Sequence, residues 1–185
     1  MGDFIMTKKI LTTQPIRDKE KIAKMKETLK RDRDRIMFLL GINSGLRISD
    51  IVNRRCDEFK GDTVEVREKK TGKIKVFKLN PAVADEIHQY IEKNPREWLF
   101  ESRQGGHIST RQARRILTDA AKVVGLEHFS THSMRKTFGY QAWKMGAPIP
   151  LIMTALNHSS PKTTQRYLGI TQDIVNDGLY SKMAL

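Results

Sequence analysis

Only one cysteine, Cys56, occurs in 185 residues, so no internal disulfide and no cysteine-based zinc site can form, a pattern that suits a reducing cytoplasm. Long apolar runs are also missing. None approaches the roughly 20 residues that cross a bilayer, and Met1 to Ile10 lacks an apolar core with a cleavage site, so the sequence points away from export and from a membrane. There is no internal repeat, no low-complexity segment, no G-x-x-x-x-G-K-[ST] phosphate loop and no evident carboxylate cluster for paired metal ions. Acidic residues are outnumbered: 21 Asp plus Glu face 34 Lys plus Arg, and the formal net charge of +13 favours a polyanionic partner.

What is present reads as one domain, long enough to bury a real core. Ile22, Met25 and Leu29 recur at helical spacing, and Ile36, Leu39 and Leu40 predict a second helix that stops near Ser44-Gly45. Ser49 is a candidate cap for a further helix carrying Ile51 and Val52, with Arg47 on the turn before it. Thr63 to Arg67 and Ile74 to Leu79 alternate as strands around Lys70-Thr71-Gly72-Lys73, which predicts a β-hairpin. Asn80-Pro81 then opens a helix with Val83, Ile87 and Tyr90 on one face, ending near Asn94-Pro95.

Trp98-Leu99-Phe100 reads as a short strand, and Ser102 to Gly106 as a loop. A helix from about Thr110 carries Ala113, Ile116, Leu117 and Ala120 and ends at Gly125. Ser130 or Thr131 caps the next helix, which runs to Gly146. Pro148 opens a short helix ending near His158, and Ser160-Pro161 starts another that holds Tyr167 and closes at Gly169. The fold class is therefore α+β, mostly helical, with a small antiparallel sheet inserted early.

His132 and Arg135, three apart on a predicted helix, put an imidazole beside a permanent cation. His128 and His132 have the spacing of a zinc pair, but Ser130-Thr131 interrupt the helix between them and no further ligands stand out. Ser133-Met134-Arg135-Lys136 and Lys70-Thr71-Gly72 match the S-x-x-K and K-T-G motifs of penicillin-binding enzymes, in reversed order.

Taken in chain order, Gly45-Leu46-Arg47-Ile48-Ser49-Asp50, Lys70-Thr71-Gly72, His132-Ser133-Met134-Arg135, Leu156-Asn157-His158 and Tyr167 resemble the catalytic domain of tyrosine recombinases, the phage integrase family. The resemblance runs from about Thr12 to about Thr171. It implies a catalytic set of Arg47, Lys70, His132, Arg135, His158 and the nucleophile Tyr167, with Asp50 in support and the sheet following the first arginine motif. The chemistry fits those residue types. Two guanidiniums, always charged and able to bind phosphate in a fork, stabilise the negative charge that grows on a phosphodiester when a phenol attacks it. A phenol with pKa ~10 needs a base or a positive field to ionise.

The same resemblance implies a metal-free, nucleotide-free site-specific recombinase or integrase that breaks and rejoins duplex DNA through a 3′-phosphotyrosyl link, in a tetramer on DNA, with a monomer possible without it. A cytoplasmic bacterial, phage or mobile-element setting is expected. The division is a lead at 1–11, a catalytic domain at 12–170 and a tail at 171–185 that docks on a neighbour. Lys69, Lys73, Arg111, Arg114 and Arg115 are candidate DNA contacts. Alternatives are a related DNA-relaxing enzyme and a DNA-binding regulator that does not cut. Departures from the family pattern are Lys136 in place of a second histidine, Asn157 in place of a glycine, and Asp50 in place of the commoner glutamate.

Overall fold

A computed structural model describes residues 13–169, together with Tyr180 and Met183. The expected lead at 1–11, and the expected tail at 171–185 apart from those two residues, lie outside the described residues. In chain order the elements are α1 (Lys19–Thr28), α2 (Asp32–Ser44), α3 (Ile48–Ile51), a 3-10 turn (Cys56–Phe59), β1 (Thr63–Arg67), β2 (Ile74–Lys78), α4 (Pro81–Lys93), α5 (Thr110–Val123), α6 (Thr131–Lys144), α7 (Ile149–Ala155) and α8 (Pro161–Leu168). The architecture is the expected one, mostly helical with a two-stranded antiparallel sheet after α3.

Local sequence sets most helix starts. Asn80 accepts from the Ala82 amide ahead of Pro81, Ser109 from the Gln112 amide, and Ser160 from the Thr163 amide. Ser130 and Ser133 cap α6 reciprocally: the Ser130 hydroxyl accepts from the His132 amide, and the Ser133 hydroxyl from the Ser130 amide.

The core is built around α2, where Ile36, Met37, Phe38, Leu39 and Leu40 are all buried. A helix apolar on every side has neighbours on every side: α2 packs against α1, α4, α5 and α6. A second cluster, Ile152, Leu156 and Leu168 with Phe138, Trp143 and Tyr167 packed on it, joins α6, α7 and α8. Gly139 permits that junction, because a Cβ there would lie 2.5 Å from a Leu168 methyl and 3.1 Å from one of Leu156. The missing side chain at position 139 thus lets α8, with Tyr167, sit close to α6.

Three local expectations are corrected. Trp98–Phe100 forms no strand: the segment makes isolated bridges, Arg55 with Trp98 and Glu101 with His107, and two bridges give an apolar run burial without a ladder. Ser49 is not a cap, since α3 begins at Ile48 with Arg47 in the capping position. The helix that opens at Pro148 ends at Ala155 rather than near His158, because Asn157 takes a left-handed conformation with φ 49° and turns the chain.

Candidate active site

Arg47 enters from the α2–α3 turn. Gly45 makes that turn with φ 63°, and its ideal Cβ would lie 2.6 Å from the Phe138 ring, so the position demands glycine twice over. Arg135 enters from α6 and is buried. One of its terminal nitrogens donates to the Gly45 carbonyl and the other to the Leu156 carbonyl, so a single guanidinium ties the Arg47 turn to the end of α7. Arg47 is less enclosed and faces Glu68, with Nη1 2.9 Å from Oε1.

Glu68 is a residue that reading by sequence missed. It lies just past β1, wholly buried, and its Oε1 is 2.9 Å from Arg47 and 3.8 Å from Arg135. Its Oε2 accepts from the Thr71 hydroxyl at 2.8 Å and from the Asn157 amide at 3.0 Å. Burial pushes the carboxyl pKa up, but the bonds from Thr71, Arg47 and Asn157 outweigh it and hold the group below the usual carboxylate range. Its only signal in the sequence is a carboxylate at the inner end of a strand whose other inward residues are Val64 and Val66.

Tyr167, on α8, is flanked by both histidines: its ring centroid lies 4.8 Å from that of His158 and 6.2 Å from that of His132, both edge-on. Lys136 Nζ stands 5.1 Å from the same centroid. The phenol oxygen is buried and in no well-aligned hydrogen bond. Burial raises its pKa, while Arg135 and then Arg47 pull the other way. His158 is held by Thr164, whose hydroxyl is 3.1 Å from Nδ1.

Both imidazoles have their pKa lowered, which favours the neutral form: His132 by burial and then Arg135, Arg47, Lys136 and Lys70, and His158 by burial and then the same two arginines. A neutral imidazole next to a phenol can take its proton. Lys70 is exposed on the hairpin turn, close enough for its charge to act on His132.

Asp50 is buried and accepts the Lys69 amide at 2.9 Å, so it anchors the hairpin backbone rather than a histidine or an arginine side chain. The other tyrosines stand apart in role: Tyr90 donates to the Leu99 carbonyl, Tyr140 packs on Trp143, and Tyr180 is 64% exposed.

Lys75 is a second residue that the sequence does not single out. It points inward from β2 while Ile74 and Val76, 52% and 60% exposed, point out. The pairing Val64 with Phe77 and Val66 with Lys75 imposes this, since a two-residue period that turns Phe77 inward turns Lys75 inward too. Its ammonium donates to the Ser44 carbonyl at 2.6 Å and lies 5.5 Å from the Phe77 ring centroid and 5.8 Å from that of Phe138.

Of the candidate DNA contacts, Arg111 and Arg115 line a basic cavity of about 640 Å³ with Arg31, Arg33 and Arg103 at the start of α5. Arg114 is exposed on α5 but does not line it, and Lys69 and Lys73 are exposed in the hairpin turn.

The sequence profile described as the Phage integrase family matches residues 17–173. A protein of Bacillus subtilis named probable integrase/recombinase YoeC is 42% identical over 165 residues, covering 86% of this chain and 91% of that one. Tyrosine recombinase XerC of Corynebacterium efficiens is 31% identical over 149 residues, and there the match takes 75% of this chain but only 47% of the relative. Among solved structures, XerA recombinase superposes with a TM-score of 0.79 at 16% identity, covering 94% of this chain and 65% of that one. A lambda integrase dimer bound to a COC′ core site gives 0.69 at 16%, covering 85% of this chain and 59% of that one. Those superpositions share the fold described above, and with the profile match they carry the assignment: the chain belongs to the phage integrase family, the tyrosine recombinases, enzymes that break and rejoin DNA.

Proposed function

We propose that this chain is the catalytic domain of a site-specific recombinase or integrase that cuts and rejoins duplex DNA through Tyr167. The observation that carries the reading is a pair of groups brought together from α2–α3, α6, the α7–α8 turn and α8: Arg47 and Arg135 on one buried carboxylate, and Tyr167 flanked by His132 and His158 within the field of both arginines. The Tyr167 oxygen attacks phosphorus and His132 accepts the phenol proton. The bond from phosphorus to the 5′ oxygen breaks, and Lys70 protonates that oxygen, leaving a 3′-phosphotyrosyl ester and a free 5′ hydroxyl. Arg47 and Arg135 hold the nonbridging oxygens through the transition state, and His158 adds a hydrogen bond. A 5′ hydroxyl from a second DNA reverses the steps, and because the tyrosyl ester conserves the energy of the broken bond no nucleotide is consumed.

Electrostatics supports the assignment of roles. The lowered pKa of His132 favours its neutral form, the form that can act as a base. The two arginines favour the phenolate against the cost of burial. Arg47 Nη1 faces the Glu68 carboxylate, which holds the guanidinium at the site next to Arg135. The basic cavity at the start of α5 suits the DNA backbone, with Arg111 and Arg115 as contacts. We place the catalytic unit at 12–170 in a cytoplasmic protein. A lambda integrase tetramer bound to a Holliday junction is among the structural neighbours and supports assembly into a tetramer on DNA.

The test works without a defined target sequence. A pool of nicked duplexes with random sequence is incubated with the chain, and DNA attached to protein is recovered from a denaturing gel and sequenced. We expect adducts that converge on one site, no adduct with Tyr167→Phe, and normal adducts with Tyr180→Phe. An adduct that survives Tyr167→Phe and disappears with Tyr180→Phe overturns the nucleophile, and a wild-type chain that binds the pool without ever attaching to it is a DNA-binding protein rather than an enzyme.

A further inference from the structure

We propose that Glu68 is a positioning residue that sets the Lys70 turn in register with Arg47, so that the proton donor and the phosphate clamp arrive at the substrate as one unit. The proposal rests on the reading of Tyr167, Lys70 and Arg47 given above. Lys70 is the exposed member of the site, on a turn of exposed residues. A long, solvated side chain delivers a proton to one oxygen only if its backbone is fixed, since misplacement by about 1 Å can cost on the order of a hundredfold in rate.

Glu68 supplies that fixing from both ends. Its backbone amide donates to the Lys73 carbonyl at 2.9 Å and its own carbonyl accepts the Gly72 amide at 2.8 Å, which closes the turn around Lys70. Its carboxylate then holds the turn from inside through Thr71, one residue after Lys70, while facing Arg47 with the other oxygen. Asp50 holds the Lys69 amide from α3, so the residues on either side of Lys70 are both tied to acidic groups of the site.

The Asn157 amide completes the arrangement. It reaches the same carboxylate from the turn that presents His158, in a left-handed conformation that asparagine tolerates. Glu68 touches no substrate atom in this scheme and transfers no proton. Its ionised form, favoured by its three donors, is what the role requires.

The experiment uses the duplex recovered by covalent attachment, made in two forms: the ordinary phosphodiester, and one with sulfur in place of the bridging 5′ oxygen at the cut. A 5′ thiolate departs without being protonated, so a defect in delivering the proton is relieved on the sulfur substrate, and a defect in holding the phosphate or the fold is not. Lys70→Ala sets the scale of relief. Glu68→Gln is expected to slow single-turnover adduct formation on the ordinary substrate by on the order of tenfold, a modest share of what general acid catalysis supplies. The loss should shrink on the sulfur substrate in the same sense as for Lys70→Ala.

Thr71→Val, which keeps the ion pair with Arg47 and sits at an exposed position, should show a smaller loss with the same relief, and it decides the matter if Glu68→Gln fails to fold. A wild-type rate in both variants, or a loss equally deep on both substrates, overturns the positioning role while leaving the proposed function intact. Absence of relief in Lys70→Ala itself removes Lys70 as the proton donor, and the register argument with it. A wild-type chain that forms no adduct overturns the proposed function first.

Discussion

Lys75 places an ammonium against the Ser44 carbonyl and two aromatic rings, and burial, followed by the repulsion of Arg135, brings its pKa from 10.5 to about 8. In the unfolded chain the group titrates at the ordinary value. Between pH 8 and 10.5 the unfolded state therefore binds the proton and the folded state does not, so Lys75 makes the fold more stable as pH rises through that window. Wild type should gain on Lys75→Met by on the order of 3 kcal/mol across it, read as the difference between urea unfolding curves of the two proteins at either end. A difference that stays flat would mean that the ammonium keeps its water.

The same residue shows where reading by residue type stops. Arg47, His132, Arg135, His158 and Tyr167 were legible because their chemistry and order could be matched position by position, and the structure brings them together. Glu68 and Lys75 were not, and Asn157 was legible only as a departure from the family's glycine, without its bond to Glu68. A glutamate between two valine-bearing strand positions and a lysine cluster looks like a solvated charge, and only the side-chain partners, Thr71, Arg47 and Asn157, reveal a buried counter-ion. Asp50 was legible as a supporting acid, but its partner, a backbone amide of the hairpin, was not.

Among the elements, helix starts were the most readable feature, since Asn80-Pro81, Ser130 and Ser160 announce them through local hydrogen bonds. The Trp98–Phe100 segment misled because an apolar run records burial and not a ladder partner. Leu99 and Phe100 are buried, yet they lie between two isolated bridges, Arg55 with Trp98 and Glu101 with His107, and form no ladder. Close helix approach was equally silent in the sequence: Gly139 reads as a helix-weakening residue until Leu168 and Leu156 are seen against it. Gly139→Ala gains helix propensity and loses packing room. Because overpacking a tight contact costs about 1–3 kcal/mol against less than about 1 kcal/mol gained, the variant should be net destabilised. The displaced α8 should also slow adduct formation at Tyr167. Chemical denaturation and single-turnover cleavage read the two effects separately, and a stabilised, fully active Gly139→Ala protein would show that α8 yields without cost.

For the molecule as a whole, the excess of 13 positive charges matters by where it lies. Beyond Arg47 and Arg135, which the proposed function assigns to the scissile phosphate, exposed cations stand on the hairpin turn and around the cavity lined by Arg31, Arg103, Arg111 and Arg115. Binding driven by those cations releases counterions, and log K against log salt should fall with a slope of roughly −0.9 per phosphate contact. In a Tyr167→Phe background, which separates binding from cutting, Arg111→Ala with Arg115→Ala should flatten the slope by about two contacts and weaken all sequences alike if both side chains reach phosphates. Loss confined to the preferred site, with an unchanged slope, would instead place these arginines on base edges, where a bidentate contact is worth about 1–3 kcal/mol of discrimination. Titrations of the preferred duplex and of a scrambled one over a range of salt distinguish the outcomes, and a double variant that changes neither slope nor preference removes the α5 cavity from the DNA interface.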